Sequence, residues 1–408
     1  MDCKPLAVCI VSVIDHRGLT PKKKLGGDWA KSGYRALSAK NIKDGKLVQI
    51  ESMKLVDEEL YRRWMPQEIE EGDVFITSEA PFGEVLFWNS SEKLVLSQRV
   101  FGLKPNHNIC DARYLYYWMK GPLFQGELRG RATGTTVIGL RQPELLKCGV
   151  ALPSMDTQKR ISAVLSAIDD KIESNAKLNG YLAEQCEGIA EHQTGDVVAL
   201  ASLCGLASER VDCREADIAT YVSTESLLPA KMGKQTAPSL PQAGKVTVYK
   251  AGDTLVSNIR PYFKKIWYAD RSGTCSGDVL VFRANQPEHA GYLYSCLRQD
   301  RFFDYVMKGA KGTKMPRGDK KQMLTYEIVN SPSAAAIGAI QTALEQISIA
   351  NKENDSLAAL RDALLPKLMS GEIDVSKVDL TQLNSHLSKC SSGSCCILPV
   401  MAALPATK

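Results

Sequence analysis

Glu71-Gly72-Asp73-Val74-Phe75-Ile76 has a counterpart about 180 residues further along the chain, Ala251-Gly252-Asp253-Thr254-Leu255-Val256. Each reads as a tight turn feeding a strand. The correspondence continues outward from this stretch. Pro81-Phe82 aligns with Pro261-Tyr262, Val100-Phe101 with Val281-Phe282, and Tyr114-Leu115-Tyr116 with Tyr292-Leu293-Tyr294. Further on, Gly134-Thr135 aligns with Gly312-Thr313 and Pro153-Ser154 with Pro332-Ser333. Solenoid repeats recur every 20 to 50 residues or so, so a period this long implies two similar domains instead. Each copy then runs into a long helical segment.

The local grammar of the two copies matches. Gly83 to Trp88 reads as the next strand of the first copy, and Tyr114 to Met119 as a short helix ended by Gly121-Pro122. In the second copy, Lys265 to Tyr268 and Tyr292 to Leu297 occupy the same places.

The 408 residues leave room for two or three domains, and 44% hydrophobic with 24% charged residues is ordinary for a globular chain. A net charge of +5 is compatible with nucleic acid without requiring it. The longest N-terminal apolar run, Leu6 to Ile14, is too short to span a bilayer and lacks the flanks of a signal peptide, so a cytoplasmic location is expected. The 12 cysteines are scattered without metal-ligand spacing, which favours reduced, mostly buried thiols and no metal. Cys390, Cys395 and Cys396 fall in a Ser/Gly-rich tail after residue 380, where an unstructured end is expected.

From 154 to about 190 the pattern changes. Ile161, Leu165, Ile168, Ile172, Asn175, Asn179, Leu182, Cys186 and Ile189 alternate spacings of four and three, which is a heptad seam. A more polar stripe follows in the second copy: Ile340, Leu344, Ile347, Asn351, Asn354, Ala358, Arg361, Leu365 and Leu368. The alternative is two ordinary amphipathic helices, each packed on its own domain. Length and the seam positions of Asn175 and Asn354 argue for a pair, since a seam Asn costs stability but fixes register when it meets another Asn. The helices are therefore expected to pack on one another, antiparallel. A helix of about 33 residues is about 50 Å long, a rigid spacer somewhat longer than one turn of B-DNA, roughly 34 Å.

These parts, in this order, resemble the specificity subunit of type I restriction–modification systems. The first copy carries Gly18-Leu19-Thr20-Pro21-Lys22, then Leu37-Ser38-Ala39-Lys40-Asn41-Ile42 with Gly45, and Tyr61-Arg62-Arg63-Trp64. Gly72-Asp73-Val74, Ala80-Pro81-Phe82-Gly83 and Gly134-Thr135-Thr136-Val137 follow. The helical junction is similar to the family's Leu-Pro…Gln-x-x-Ile pattern at Leu152-Pro153, Gln158 and Ile161, leading to Ile168-Asp169-Asp170-Lys171-Ile172. Leu364-Leu365-Pro366-Lys367-Leu368-Met369-Ser370-Gly371-Glu372-Ile373 resembles the C-terminal signature. Thr157 stands where the family usually has Glu, and Ser333-Ala334-Ala335-Ala336 replaces an acidic-Gln pair.

The resemblance implies an α+β chain of two mixed α/β target-recognition domains and two long helices packed as an antiparallel coiled coil, with pseudo-two-fold symmetry. The expected boundaries are 1–152 and 194–331 for the domains, 153–193 and 332–378 for the helices, and 379–408 for a disordered tail. The implied role is non-catalytic: double-stranded DNA is read as a bipartite site, the helices setting the gap and docking two DNA adenine methyltransferase subunits. Those partners would use S-adenosylmethionine, and restriction–translocase subunits, where present, would use ATP and Mg; this chain would bind no cofactor itself. The sequence contains neither an adenine-methyltransferase Asn-Pro-Pro-aromatic motif nor a Walker loop, since Lys308-Gly309-Ala310-Lys311-Gly312-Thr313 has the wrong spacing. Two other readings compete: a self-contained methyltransferase or nuclease with an unfamiliar active site, and a coiled-coil protein scaffold.

Candidate DNA contacts lie on loops at equivalent positions of the repeat. One is the Pro-containing turn, where Arg260 suits guanine and Lys264 and Lys265 suit phosphates. The other is the Gly-Thr segment: Arg129, Arg131, Thr133, Thr135, Thr136 and Arg141 in the first copy, Lys308, Lys311, Thr313, Lys314 and Arg317 in the second. Gln98 and Arg99 are further candidates. Trp64, Tyr116 and Trp267 read as core.

Overall fold

The computed structural model describes residues 3–134 and 137–389. The chain divides into two compact units, residues 1–172 with 354–408, and residues 173–353. The long helices were expected to stand as segments of their own. Instead each unit takes part of both: Met155–Glu191 is divided after Ile172, and Ala334–Ser370 after Glu353.

The first unit is built on a four-stranded antiparallel sheet in the order Ile10–Asp15, Val100–Pro105, Val74–Thr77, Val85–Phe87. The second repeats the order with Cys204–Leu206, Val279–Ala284, Thr254–Ser257 and Ile266–Tyr268. A two-stranded ladder also recurs, Cys3–Pro5 with Gly149–Ala151 and Val197–Ala199 with Glu327–Val329. So do three short helices: Ala112–Lys120, Pro122–Gly130 and Gln142–Leu146 match Ala290–Arg298, Asp300–Lys308 and Lys320–Leu324. The duplication read in the sequence is thus a duplication of topology.

Both faces of each central sheet are covered, which is why its strands read as unbroken apolar runs. Successive side chains of a strand point to opposite faces. Val74 and Ile76 join the cluster of Tyr114, Leu115 and the long helices, while Phe75 between them faces Leu86, Trp64 and Trp88. In the second unit Val256, Ile266 and Phe282 face the helical side, and Leu255, Trp267 and Val281 face the other. Trp64, Tyr116 and Trp267 are all buried.

Local chemistry sets the helix ends. The Asp111 carboxylate accepts from the Tyr114 amide at 2.8 Å, capping Ala112–Lys120, and Pro122 starts the next helix where a missing N–H costs nothing. Both long helices begin behind a serine whose hydroxyl accepts an amide of the first turn, Ser154 from Thr157 and Ser333 from Ala336, each at 3.2 Å.

The long helices pair antiparallel within each unit. In the first, Ile161, Leu165 and Ile168 are buried with Leu357, Leu364, Leu365 and Leu368, and Ile172 packs at the margin. In the second, Cys186 and Ala190 meet Ile340, Ala343 and Leu344, flanked by Leu182 and Ile347. Of the seam asparagines, Asn175 Nδ2 donates to Glu353 at 2.7 Å in the second unit, and Asn354 Nδ2 donates to the Ile172 carbonyl at 3.3 Å in the first. An Asn–Asn contact of the kind expected is made by Asn179 Nδ2 to Asn351 Oδ1, at 2.9 Å. Each helix half also packs on the domain of its own unit, so the paired arrangement and the alternative both describe part of what is found.

Structure continues past the expected C-terminal boundary. Leu380–Lys389 is a helix whose Leu383 and Leu387 are buried in the first unit's core, an apolar spacing of four that a polar composition obscured. The cysteines at 390, 395 and 396 lie outside the described residues.

Candidate nucleic-acid interface

In each unit the Pro-containing turn and the Gly-Thr loop, distant in sequence, are held together by the same backbone bonds. Ser78 donates its amide to the Arg99 carbonyl (2.8 Å), and its own carbonyl accepts from Leu140 (3.0 Å). In the second unit Asn258 donates to the Asp278 carbonyl (2.8 Å) and accepts from Gly318 (3.3 Å). The Gly-Thr loops close alike, Thr133 bridging Gly139 and Lys311 bridging Arg317. Their glycines, Gly134 and Gly312, have φ of +114° and +98°, and a Cβ on Gly134 would lie 2.2 Å from the Val137 carbonyl oxygen. That turn therefore requires glycine.

In the first unit these loops border a cleft of about 430 Å³, lined by Arg17, Ser78, Glu79, Gln98, Arg99, Thr133 and Arg141 among others.

 Arg17 was not among the residues singled out from the sequence. It stacks on Phe101 at 3.9 Å, forks onto Asp15 at 2.8 and 2.9 Å, and donates to the Leu140 carbonyl at 2.8 Å. Its role is to brace the loop, and only the Asp15-x-Arg17 spacing at a strand end hinted at it.

The candidate cations separate into groups. Arg129, Arg141, Lys308 and Lys314 are exposed and carry no ion pair among the described residues; Thr133 and Thr313 are exposed beside them. Arg99 pairs with Glu79 at 2.9 Å, Arg317 with Asp278 at 3.2 Å, and Lys311 with Asp319 at 3.2 Å, all near the surface. Three others are committed to the fold. Arg131 is half-buried between Glu127 (2.7 Å) and Glu144 (3.5 Å). Lys264 binds Asp300 at 2.9 Å. Lys265 donates to the Thr224 carbonyl at 2.6 Å, and burial pushes its ammonium below the usual lysine range. These three were expected to meet phosphates, but local carboxylates and a carbonyl already hold them. Thr135 and Thr136 lie outside the described residues.

In the second unit, Arg260 has a left-handed backbone (φ +50°) and its amide donates to the Pro316 carbonyl at 2.8 Å. Its Nε and the Asn258 Oδ1 are shielded from solvent without a hydrogen-bond partner among the described residues. Buried polar atoms left this way are costly unless something binds them.

Residues 10–182 match the family described as the type I restriction modification DNA specificity domain. The match spans the first domain and most of the first long helix. The MjaIX specificity subunit of Methanocaldococcus jannaschii is 22% identical over 353 residues, covering 75% of this chain and 79% of that protein. The MjaVIII specificity subunit of the same organism is 24% identical over 155 residues, 37% of this chain and 36% of that protein. Among solved structures, the type I S subunit of M. genitalium is 14% identical, with 90% of this chain and 95% of that chain covered and a TM-score of 0.48. No described helix is long and apolar enough to cross a membrane.

Proposed function

We propose that this chain is the non-catalytic, sequence-reading subunit of a type I restriction–modification complex, each unit presenting its joined loop pair to one half of a bipartite DNA site. The family match over residues 10–182 supports this reading, and one observation carries it at the level of residues. Two loops of unlike sequence are tied by the same backbone bonds in both units, a constant frame for variable readers. Exposed Arg129, Arg141, Lys308 and Lys314 supply phosphate contacts, and polar side chains at the loop junctions supply base contacts.

The long helices would set the gap between half-sites and dock two adenine methyltransferase subunits, which use S-adenosylmethionine. Translocase–endonuclease subunits using ATP and Mg would join that assembly in the cytoplasm. Removing one heptad from both helices shortens each by about 10 Å, or about three base pairs at 3.4 Å each. Modified sites whose gap shrinks by that amount are the expected result.

Binding to random duplex DNA at varied salt tests the central reading. Log affinity should fall linearly with log salt. A flat response would favour the protein scaffold, and turnover by the purified chain with S-adenosylmethionine or divalent metal alone would favour the self-contained enzyme.

A further inference from the structure

The joined loops of the two units share one more feature. At the junction in the first unit, Arg99 and Glu79 form an ion pair at 2.9 Å with side chains 50% and 35% exposed. At the junction in the second, Arg317 and Asp278 pair at 3.2 Å with 56% and 38% exposed. Arg99 and Asp278 are equivalent, since each gives its carbonyl to the turn residue, Ser78 or Asn258. Gly139 and Arg317 are equivalent in closing the Gly-Thr loop. A Cβ on Gly139 would lie 3.5 Å from Glu79 Oε2, so the carboxylate in the first unit occupies the side of the junction that Arg317 occupies in the second. The charge is reversed between Arg99 and Asp278, and its partner comes from the Pro-containing turn in one unit (Glu79) and from the Gly-Thr loop in the other (Arg317), yet an arginine and a carboxylate still meet at the junction.

We propose that each unit reads one G·C base pair through this arginine–carboxylate pair. The inference rests on the DNA-reading function proposed above and adds which base pair is recognised. In the major groove guanine offers two acceptors, N7 and O6, and its partner cytosine offers a donor, the N4 amino group. The guanidinium fork satisfies the first and a carboxylate oxygen accepts from the second. At an A·T pair the same carboxylate would face the O4 acceptor of thymine, and the fork would face the N6 donor of adenine. Both ends would then be mismatched. Exposed ion pairs are weak, so either member can turn from its partner to a base edge. Their mutual contact in the free chain keeps the two charges at the spacing of neighbouring groups.

The test uses the chain with its methyltransferase subunits, expressed in a host lacking other methylation, with modified sites mapped by sequencing. The wild-type motif should specify a G·C pair in each half. Arg99→Gln and Glu79→Gln should both relax the same G·C position in one half, on the order of 10-fold or more in preference. Arg317→Gln and Asp278→Asn should relax a single position in the other half. The untouched half serves as the folding control, because a misfolded chain would lose both. Arg99→Lys and Arg317→Lys keep the charge without the fork and should relax the position while leaving the salt dependence of binding unchanged. Replacing the cytosine by N4-methylcytosine should weaken wild-type binding more than binding by Glu79→Gln or Asp278→Asn. An unaltered motif in all variants, a half-site without a specified G·C pair, or preference lost in both halves from a single substitution would overturn the proposal. Absence of both modification and DNA binding by the wild-type assembly would overturn the function and this proposal together.

Discussion

Arg361 Nη1 donates to Asp169 Oδ1 at 2.8 Å, joining the two long helices within the first unit across 192 positions of sequence. The other oxygen of Asp169 accepts from the Tyr117 hydroxyl at 2.8 Å. One carboxylate therefore fastens both helices to the domain. Burial opposes the charge on Arg361, but the hydrogen bonds and charges of Asp169 and Asp362 together outweigh that cost and hold the guanidinium above its ordinary range. Arg361→Ala leaves Asp169 short of a partner where both side chains are about three-quarters shielded (22% and 26% exposed). The expected loss is about 1–3 kcal/mol of stability, read by urea unfolding. A change smaller than the error of that measurement would show that the pair is incidental.

Gln158 gives a second prediction. Its side chain is 1% exposed, accepts from the Asp111 amide at 2.9 Å, and donates to the carbonyls of Ile109 and Pro153, each at 3.0 Å. Without it those backbone groups are buried with fewer partners. Gln158→Ala should cost about 1–3 kcal/mol. Gln158→Glu should cost more near neutral pH, since a carboxylate cannot donate to either carbonyl. The second helix opens with Ser333-Ala334-Ala335-Ala336, and Ile337 stands at the equivalent position. This junction is thus secured differently in the two units, and Ile337→Ala should be tolerated better than Gln158→Ala.

A chain of charges supports the second unit's Pro-containing turn. Lys264 meets Asp300 at 2.9 Å, Asp300 meets Lys231 at 3.0 Å, and Lys231 meets Glu187 of the first long helix at 3.1 Å. The hydrogen bond from Lys264 is the main reason the Asp300 carboxyl lies below its usual range. A carboxyl lowered on folding binds fewer protons folded than unfolded. Its contribution is therefore full above the ordinary carboxylate pKa and is lost as pH falls through the lowered folded value. Stability from this source should be flat from pH 6 to 8 and decline only in acid, and Asp300→Asn should remove that acid-side component. A decline in the same component centred near neutrality would point to another group.

The duplication and the positions of several strands were legible because apolar strand runs, turn glycines and helix-stopping prolines act locally and recur with the repeat. The seam was legible for the same reason: Ile161, Leu165 and Ile168 carry their spacing in the sequence and are buried. What escaped depends on partners far away along the chain. Nothing near Lys265 reveals that Thr224 takes its ammonium, and nothing near Lys264 reveals Asp300. That Asn175 meets the Glu353 carboxylate depends on the stagger between the helices, which heptad spacing alone does not determine. Gln158 was visible as a motif, but its work is done on backbone groups that carry no sequence signal.

The division of cations yields the last prediction. A residue that touches phosphate releases a counterion, so its removal lowers the slope of log affinity against log salt by about 1. A residue that holds the fold together has no such effect, because its charge is already compensated. Arg141→Ala and Lys314→Ala should each reduce the slope by about that amount and leave the unfolding midpoint unchanged. Arg131→Ala and Lys265→Ala should lower the midpoint with the slope intact, since Glu127 and the Thr224 carbonyl lose their partners. Binding isotherms at four or five salt concentrations, paired with thermal unfolding of the same preparations, separate the two groups. If Arg131→Ala reduced the slope as Arg141→Ala does, its ion pair with Glu127 would have to open on DNA, and the assignment of Arg131 to the fold would fail.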